Sequence, residues 1–283
     1  MRDPRRVART IRALSPSVGV SIAAAVVGLY LVRRFVPRET LVESNDVAGN
    51  YLQTLGTIYA VLLAFVVIVV WQQFNDARSA VEREANEVLD LFRTASGFSE
   101  PARGELRGQL QIYVRAVLDT EWQAMARNED GVFEEVWNVF DRVADVLHRC
   151  NPDAERETSL YCEALSRLND LSDVRAVRLS TSRMKIPLAL WILLYIGAVV
   201  TVGSMYLFAV SSFTVHAIMT GALAGAISHL LYVIADLDDA FAGDWQVPRE
   251  PFERVRNHME RAILAGESSR SQRGAEAREL RGT

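Results

Sequence analysis

The chain of 283 residues carries only two cysteines, Cys150 and Cys162, and only four histidines. It has no P-loop, no glycine-rich dinucleotide fingerprint, no HExxH and no GxSxG, so the enzyme classes those motifs announce have no support here. A tetrahedral zinc site lacks ligands too, because only His148 lies near the cysteine pair. Charge of one sign is also missing. The 31 Lys and Arg stand against 35 Asp and Glu, a net charge of -4, which suits neither a nucleic-acid binder nor an acidic disordered tail. The largest absence is local: from Ile186 to Ala235 there is no Asp, Glu, Lys or Arg. At about 1.5 Å of rise per residue, that stretch makes enough helix to cross a ~30 Å hydrocarbon core twice.

Half of the residues are hydrophobic, and they gather in four segments. Pro187 to Val210 and Phe213 to Ala235 read as two spans, with Ser211 and Ser212 at the turn. Tyr51 to Phe74 is another, and Ser17 to Val36 is the weakest. An arginine-rich start before small residues also fits a signal peptide, but the uncharged run stops at Arg33 and Arg34 without a small-residue cleavage site, so a retained helix is expected. Arginines near span ends set the orientation. Arg2, Arg5, Arg6, Arg9 and Arg12, then Arg78, Arg83, Arg175, Arg178, Arg183 and Lys185, then Arg249, Arg254 and Arg256 fall on one side of a four-span topology. Only Arg33, Arg34 and Arg38 fall on the other. Both termini and the central segment are therefore expected in the cytoplasm, where Cys150 and Cys162 stay as thiols; an exported central segment would let them close a disulfide.

Asp76 to Met184 reads as helical throughout. Val81, Ala85, Val88 and Phe92 carry the second span's 3-4 spacing past its last membrane residue, until "SGFSEP" stops it. Ala102 to Arg127 and Val132 to Arg149 are two further helices, with Leu106, Leu110, Tyr113, Val114, Val117 and Trp122 on the apolar face of one and Val136, Val139, Phe140, Val143 and Leu147 on that of the other. Pro152 breaks the chain, and Ala154 to Ser182 leads into the third span. The expected fold class is all-α: four transmembrane helices with a cytoplasmic helical domain inserted between the second and third spans. Its parts are a basic start (1–16), spans one and two (17–74), the helical domain (75–184), spans three and four (185–235), an acidic post-membrane segment and helix (236–265) and a disordered, solvated tail (266–283).

Four features carry candidate chemistry. Thr57, Val61 and Phe65 lie at i, i+4 and i+8 on one face of the second span, followed by Trp71, Gln72 and Gln73 as an interfacial anchor. A symmetric ring of such faces makes an apolar constriction that gates by dewetting, whereas a single one is lipid-facing or bundle core. Ala217, Gly221, Gly225 and Ser228 form a small-residue packing stripe on the fourth span. His216 and His229 lie in or beside that span, as polar packing or as a pore or proton group. Finally, "YVIADLDDAFAGDW" places Asp236, Asp238, Asp239 and Asp244 at the mouth of the last span. An EF-hand is excluded by Ala240 at position five, Phe241 at six and Val247 at twelve. Asp236, Asp238 and Asp239 either hold a divalent cation or ring a vestibule, or they cap the helix end and pair with Arg249 or Arg254.

The segment "NDVAGNYLQTLGTIYAVLLAFVVIVVWQQFNDARSAVEREANEVLDLFR", together with "DLDDAFAGDWQVPREPF", resembles a family of bacterial membrane proteins called bestrophin-like, over Asn45 to Phe252. "LAFVVIVVWQQFNDA" is similar, more distantly, to the second helix of bestrophins, which are pentameric anion channels. The resemblance implies a homo-oligomer, five-fold on the bestrophin pattern, in the bacterial inner membrane, with lipid and inorganic ions as its other partners and no enzyme activity. It implies a pore lined by the second span, with Phe65 matching a conserved Phe of the bestrophin neck while Val61 replaces a second Phe and Thr57 an Ile. It also implies Ca2+ as the candidate cofactor at the acidic segment, since bestrophins hold calcium with acidic residues after their last membrane helix. The competing expectation is a non-conducting membrane anchor whose cytoplasmic helices bind a partner.

Overall fold

The computed structural model describes residues 4–43, 45–127, 129, 133–150 and 155–279, and side chains at 15–37, 39, 41–42, 45–127, 129, 133–150 and 157–266. The first three residues, the break at Pro152 and the last four residues lie outside the described residues, as do the N-terminal arginine side chains. Among the described residues all regular structure is helical: α1 (Pro4–Phe35), α2 (Arg38–Glu43), α3 (Asn45–Thr94), α4 (Ala102–Ala116), α5 (Trp122–Arg127), α6 (Phe133–His148), α7 (Glu155–Arg183), α8 (Leu188–Ser204), α9 (Phe213–Asp238) and α10 (Glu250–Glu279). Four stretches of helix are long and apolar enough to cross a membrane, supplied by α1, α3, α8 and α9. The chain divides into one unit of residues 1–74 and 184–246 and another of 75–183 and 247–283.

The first unit holds the apolar helices. In a bilayer each backbone polar group must be satisfied within its own segment, which favours helix even for the β-branched run Val66 to Val70 of α3. The buried face of α3 is Tyr59, Leu63, Val66, Val70 and Phe74, at the 3-4 spacing of a helical stripe. Tyr59 donates its hydroxyl hydrogen to the Leu194 carbonyl of α8 at 2.9 Å, and its ring lies over Gly197, where an added Cβ has no room. The α1 and α9 pair is similar. Gly221 and Gly225 lie against Ile22, a Cβ on either coming within 3.2 and 3.1 Å of it, and Ser21 donates to Ser228 at 3.0 Å. Ser212 caps α9, its Oγ accepting from the Val215 N–H at 3.4 Å.

In the second unit, Val81, Ala85, Val88 and Phe92 are buried, as are the apolar residues expected on the next two helices. Phe252, Val255 and Met259 of α10 are buried as well, with the Phe252 and Trp122 rings edge to face at 6.3 Å.

Four details differ from the sequence expectation. The helix expected from Ala102 to Arg127 contains a π-turn, Val117–Glu121, a form that accommodates one extra residue per turn and re-aims side chains. The helix before the third span does not lead into it: α7 ends at Arg183, 184–187 are not helical, and α8 starts after Pro187. The third span ends sooner than Val210, passing through a 3₁₀ turn, Met205–Leu207. The expected disordered tail from 266 is instead helical as far as Glu279, within α10.

Candidate functional site

On α3, the side that does not pack inward carries the strip singled out by spacing. Thr57 is exposed, Val61 is 49% exposed and Phe65 is 65% exposed. Ile58, Ile68 and Val69 extend the same apolar surface. Water disfavours so much bare hydrocarbon, so this strip calls for an apolar covering. Trp71 is stacked on Phe74 with centroids 6.2 Å apart, at the end of the apolar run.

The three aspartates are put to three separate tasks. Asp236, in the last turn of α9, accepts the backbone N–H groups of Asp244 at 2.7 Å and Trp245 at 2.9 Å. This folds the chain back on itself through Gly243, whose φ of 78° is a left-handed conformation that glycine adopts without strain. Asp244 in turn accepts from the Tyr232 hydroxyl at 3.0 Å. Asp238 accepts the Ile186 N–H at 2.7 Å, inside the non-helical link before α8. Asp239 pairs with Lys185 at 2.9 Å. Within the second unit, Arg254 pairs with Glu250 at 3.0 Å, and Arg249 lies 5.6 Å over the Trp122 ring. Among the described residues no three His, Cys, Asp or Glu side chains are grouped to hold a metal ion. The link to α8 follows from these contacts, because Ile186 gives its N–H to Asp238 in place of a helical carbonyl.

Of the histidines, His229 is exposed, while His216 is fully buried with Nε2 2.7 Å from the Met205 carbonyl. Ala217 is half-buried beside it, and Gly221 and Gly225 are spent on α1.

Sequence reasoning missed a buried ionic cluster in the second unit. Glu84 of α3, Tyr113 of α4, Glu121 at the end of the π-turn, and Arg175 and Arg178 of α7 have no solvent exposure. Arg178 grips Glu84 at 2.6 and 3.1 Å and also reaches Glu121. Arg175 donates to the other Glu121 oxygen and lies 4.5 Å over the Trp137 ring. Tyr113 donates to Glu84 at 2.7 Å. Burial alone would lower the Arg178 pKa, but the Glu84 and Glu121 carboxylates outweigh it and hold the guanidinium charged well above its ordinary range. Burial, then the charge of Glu84, pushes Tyr113 well above the usual tyrosine value. Two carboxylates and two guanidiniums cancel, so the core carries no net charge. The signal was there: Ala164, Leu168, Leu171, Arg175 and Arg178 follow one helical stripe, which puts both arginines on the buried face of α7.

The bestrophin-like domain model matches residues 19–252. Among solved structures, two mutant forms of a bacterial bestrophin homologue from Klebsiella pneumoniae share the fold. One aligns with a TM-score of 0.65 at 13% identity, covering 88% of this chain and 98% of that one. The other aligns with a TM-score of 0.64 at 12% identity, covering 87% and 99%. At such identity the likeness speaks for the fold alone. No curated protein sequence matches the chain.

Proposed function

The chain belongs to the bestrophin-like family, and on that footing we propose that it assembles into a homo-oligomeric membrane pore conducting inorganic ions passively. In this reading α3 lines the central axis, and the ring of Phe65 and Val61 side chains forms its narrowing. The observation that carries it is the outward apolar strip of Thr57, Val61 and Phe65, on the side of α3 opposite the stripe that packs against its own chain. Several such strips around an axis would make a dry constriction that opens when it widens enough to wet. A lone chain would leave the strip to lipid. The arginine distribution supports a topology with both termini and the 75–184 segment on the cytoplasmic side of a bacterial inner membrane. Asp236, Asp238 and Asp239 serve this pore by holding the turn after α9 and the link into α8.

The mass of the detergent-solubilised particle, corrected for bound detergent, tests the assembly. A closed ring of several subunits, five on the bestrophin pattern, is expected. A monomer or dimer cannot surround an axis with α3 and would leave a non-conducting anchor as the better account.

A further inference from the structure

A second site lies at the far end of α1. A cavity of about 460 Å³ opens there, with Tyr30, Arg33, Arg34, Phe208, Ser211 and Phe213 among its walls. It sits where the apolar stretch of α1 gives out at Phe35 and that of α9 begins at Phe213, the level at which hydrocarbon gives way to headgroups. The walls are held in place. Arg33 donates through Nη2 to the Val210 carbonyl, its guanidinium is 5.7 Å from the Phe213 ring centroid, and the Tyr30 and Phe213 rings meet edge to face at 6.4 Å. The 208–212 link is anchored again by Asn45, whose Oδ1 accepts the Ala209 N–H at 3.1 Å. Arg34 lines the same space and is exposed.

We propose that this cavity binds the phosphodiester headgroup of an anionic phospholipid. Two adjacent guanidiniums supply planar forks suited to phosphate oxygens, and Arg33 commits only one of its nitrogens to Val210. The aromatic and aliphatic walls complement the glycerol and first methylenes that follow such a phosphate, which a free inorganic ion lacks. Charge bookkeeping supports the assignment: the link between α8 and α9 has no Lys or Arg, so Arg33 and Arg34 are among the few cations at this end of the spans. Interaction with the carbonyls ending α1 accounts for a cation there, but not for a ring-walled cavity beside it. The proposal is independent of the pore.

The test is native mass spectrometry of protein reconstituted in nanodiscs containing both phosphatidylglycerol and phosphatidylcholine, for wild type, Arg34→Gln and Arg33→Gln. Wild type should retain phosphatidylglycerol preferentially, and Arg34→Gln, an exposed position that leaves the Val210 contact intact, should weaken retention about tenfold, the ordinary worth of one hydrogen bond to a charged group. Equal retention by wild type and Arg34→Gln overturns the proposal. A second arm adds millimolar inorganic phosphate to lipid-free protein in detergent. Phosphate binding that depends on Arg34 without any lipid preference in the first arm reassigns the cavity to a free anion and likewise overturns it.

Discussion

Arg178 meets Glu84 with both ends of its fork, Nε 2.6 Å from one carboxylate oxygen and Nη2 3.1 Å from the other, and neither side chain touches solvent. Such a pair is costly to break because the survivor is left charged and buried, about 3–5 kcal/mol by analogy with other buried pairs. Arg178→Met is therefore expected to lower the thermal midpoint of the purified protein sharply. Arg178→Met combined with Glu84→Leu should fall by less than the sum of the two single variants, since the pair is removed together and Glu121 keeps Arg175. Additive losses, read from thermal unfolding of the four proteins, would show that the two residues act independently.

The same cluster gives an alkaline signature. Burial and Glu84 raise the Tyr113 pKa above its ordinary value of 10.0. A group whose folded pKa is raised contributes stability that is whole below the unfolded value and fades as pH climbs towards the folded one. Wild type should lose stability above about pH 10, and Tyr113→Phe, which has no proton to release, should lose less over the same interval. Parallel melting curves at pH 9 to 11 for the two proteins would rule this out.

The two cysteines differ in reach. Cys162 is exposed; Cys150 is half-buried, and burial followed by the nearby Glu105 charge raises its thiol pKa. Thiolate is the reactive form, so a maleimide at neutral pH should label Cys162 first. Peptide mapping of singly modified protein checks the order, and equal labelling at both sites would contradict it.

Glycine is demanded in α8 at one position and not at another six residues on. A Cβ at Gly197 runs into the Tyr59 ring, while one at Gly203 meets nothing. Gly197→Ala should destabilise by about 1–3 kcal/mol through overpacking, and Gly203→Ala should be close to neutral. The comparison of their thermal midpoints is decisive because both changes carry the same helix-propensity gain.

The helices and their inward faces could be read from the chain because the 3.6-residue period and the charge-free runs are local signals. Val81, Ala85, Val88 and Phe92 are buried where that period puts them. What could not be read was pairing over distance. Glu84 stands among Glu82, Arg83 and Glu87 in the sequence, and only its partners Tyr113 and Arg178 explain why it turns inward. The break before α8 is another such case, since the Ile186 N–H is claimed by Asp238, 52 positions away. The acidic run was visible as charge, but its division into two backbone caps and one ion pair with Lys185 is a matter of the folded turn. The Thr57, Val61 and Phe65 strip was legible as a face, and its outward aspect on the single chain required the packing of Tyr59 and Leu63 on the other side.

The central claim is that α3 faces a conducting axis, and thiol modification of Val61→Cys tests it most directly. In protein with Cys150→Ser and Cys162→Ser replaced, ion flux from loaded vesicles is measured before and after a charged methanethiosulfonate reagent, with the extent of labelling read by mass. The account predicts flux beforehand and its loss in proportion to labelling. Full labelling with flux unchanged, or no flux from the unlabelled protein, would contradict it.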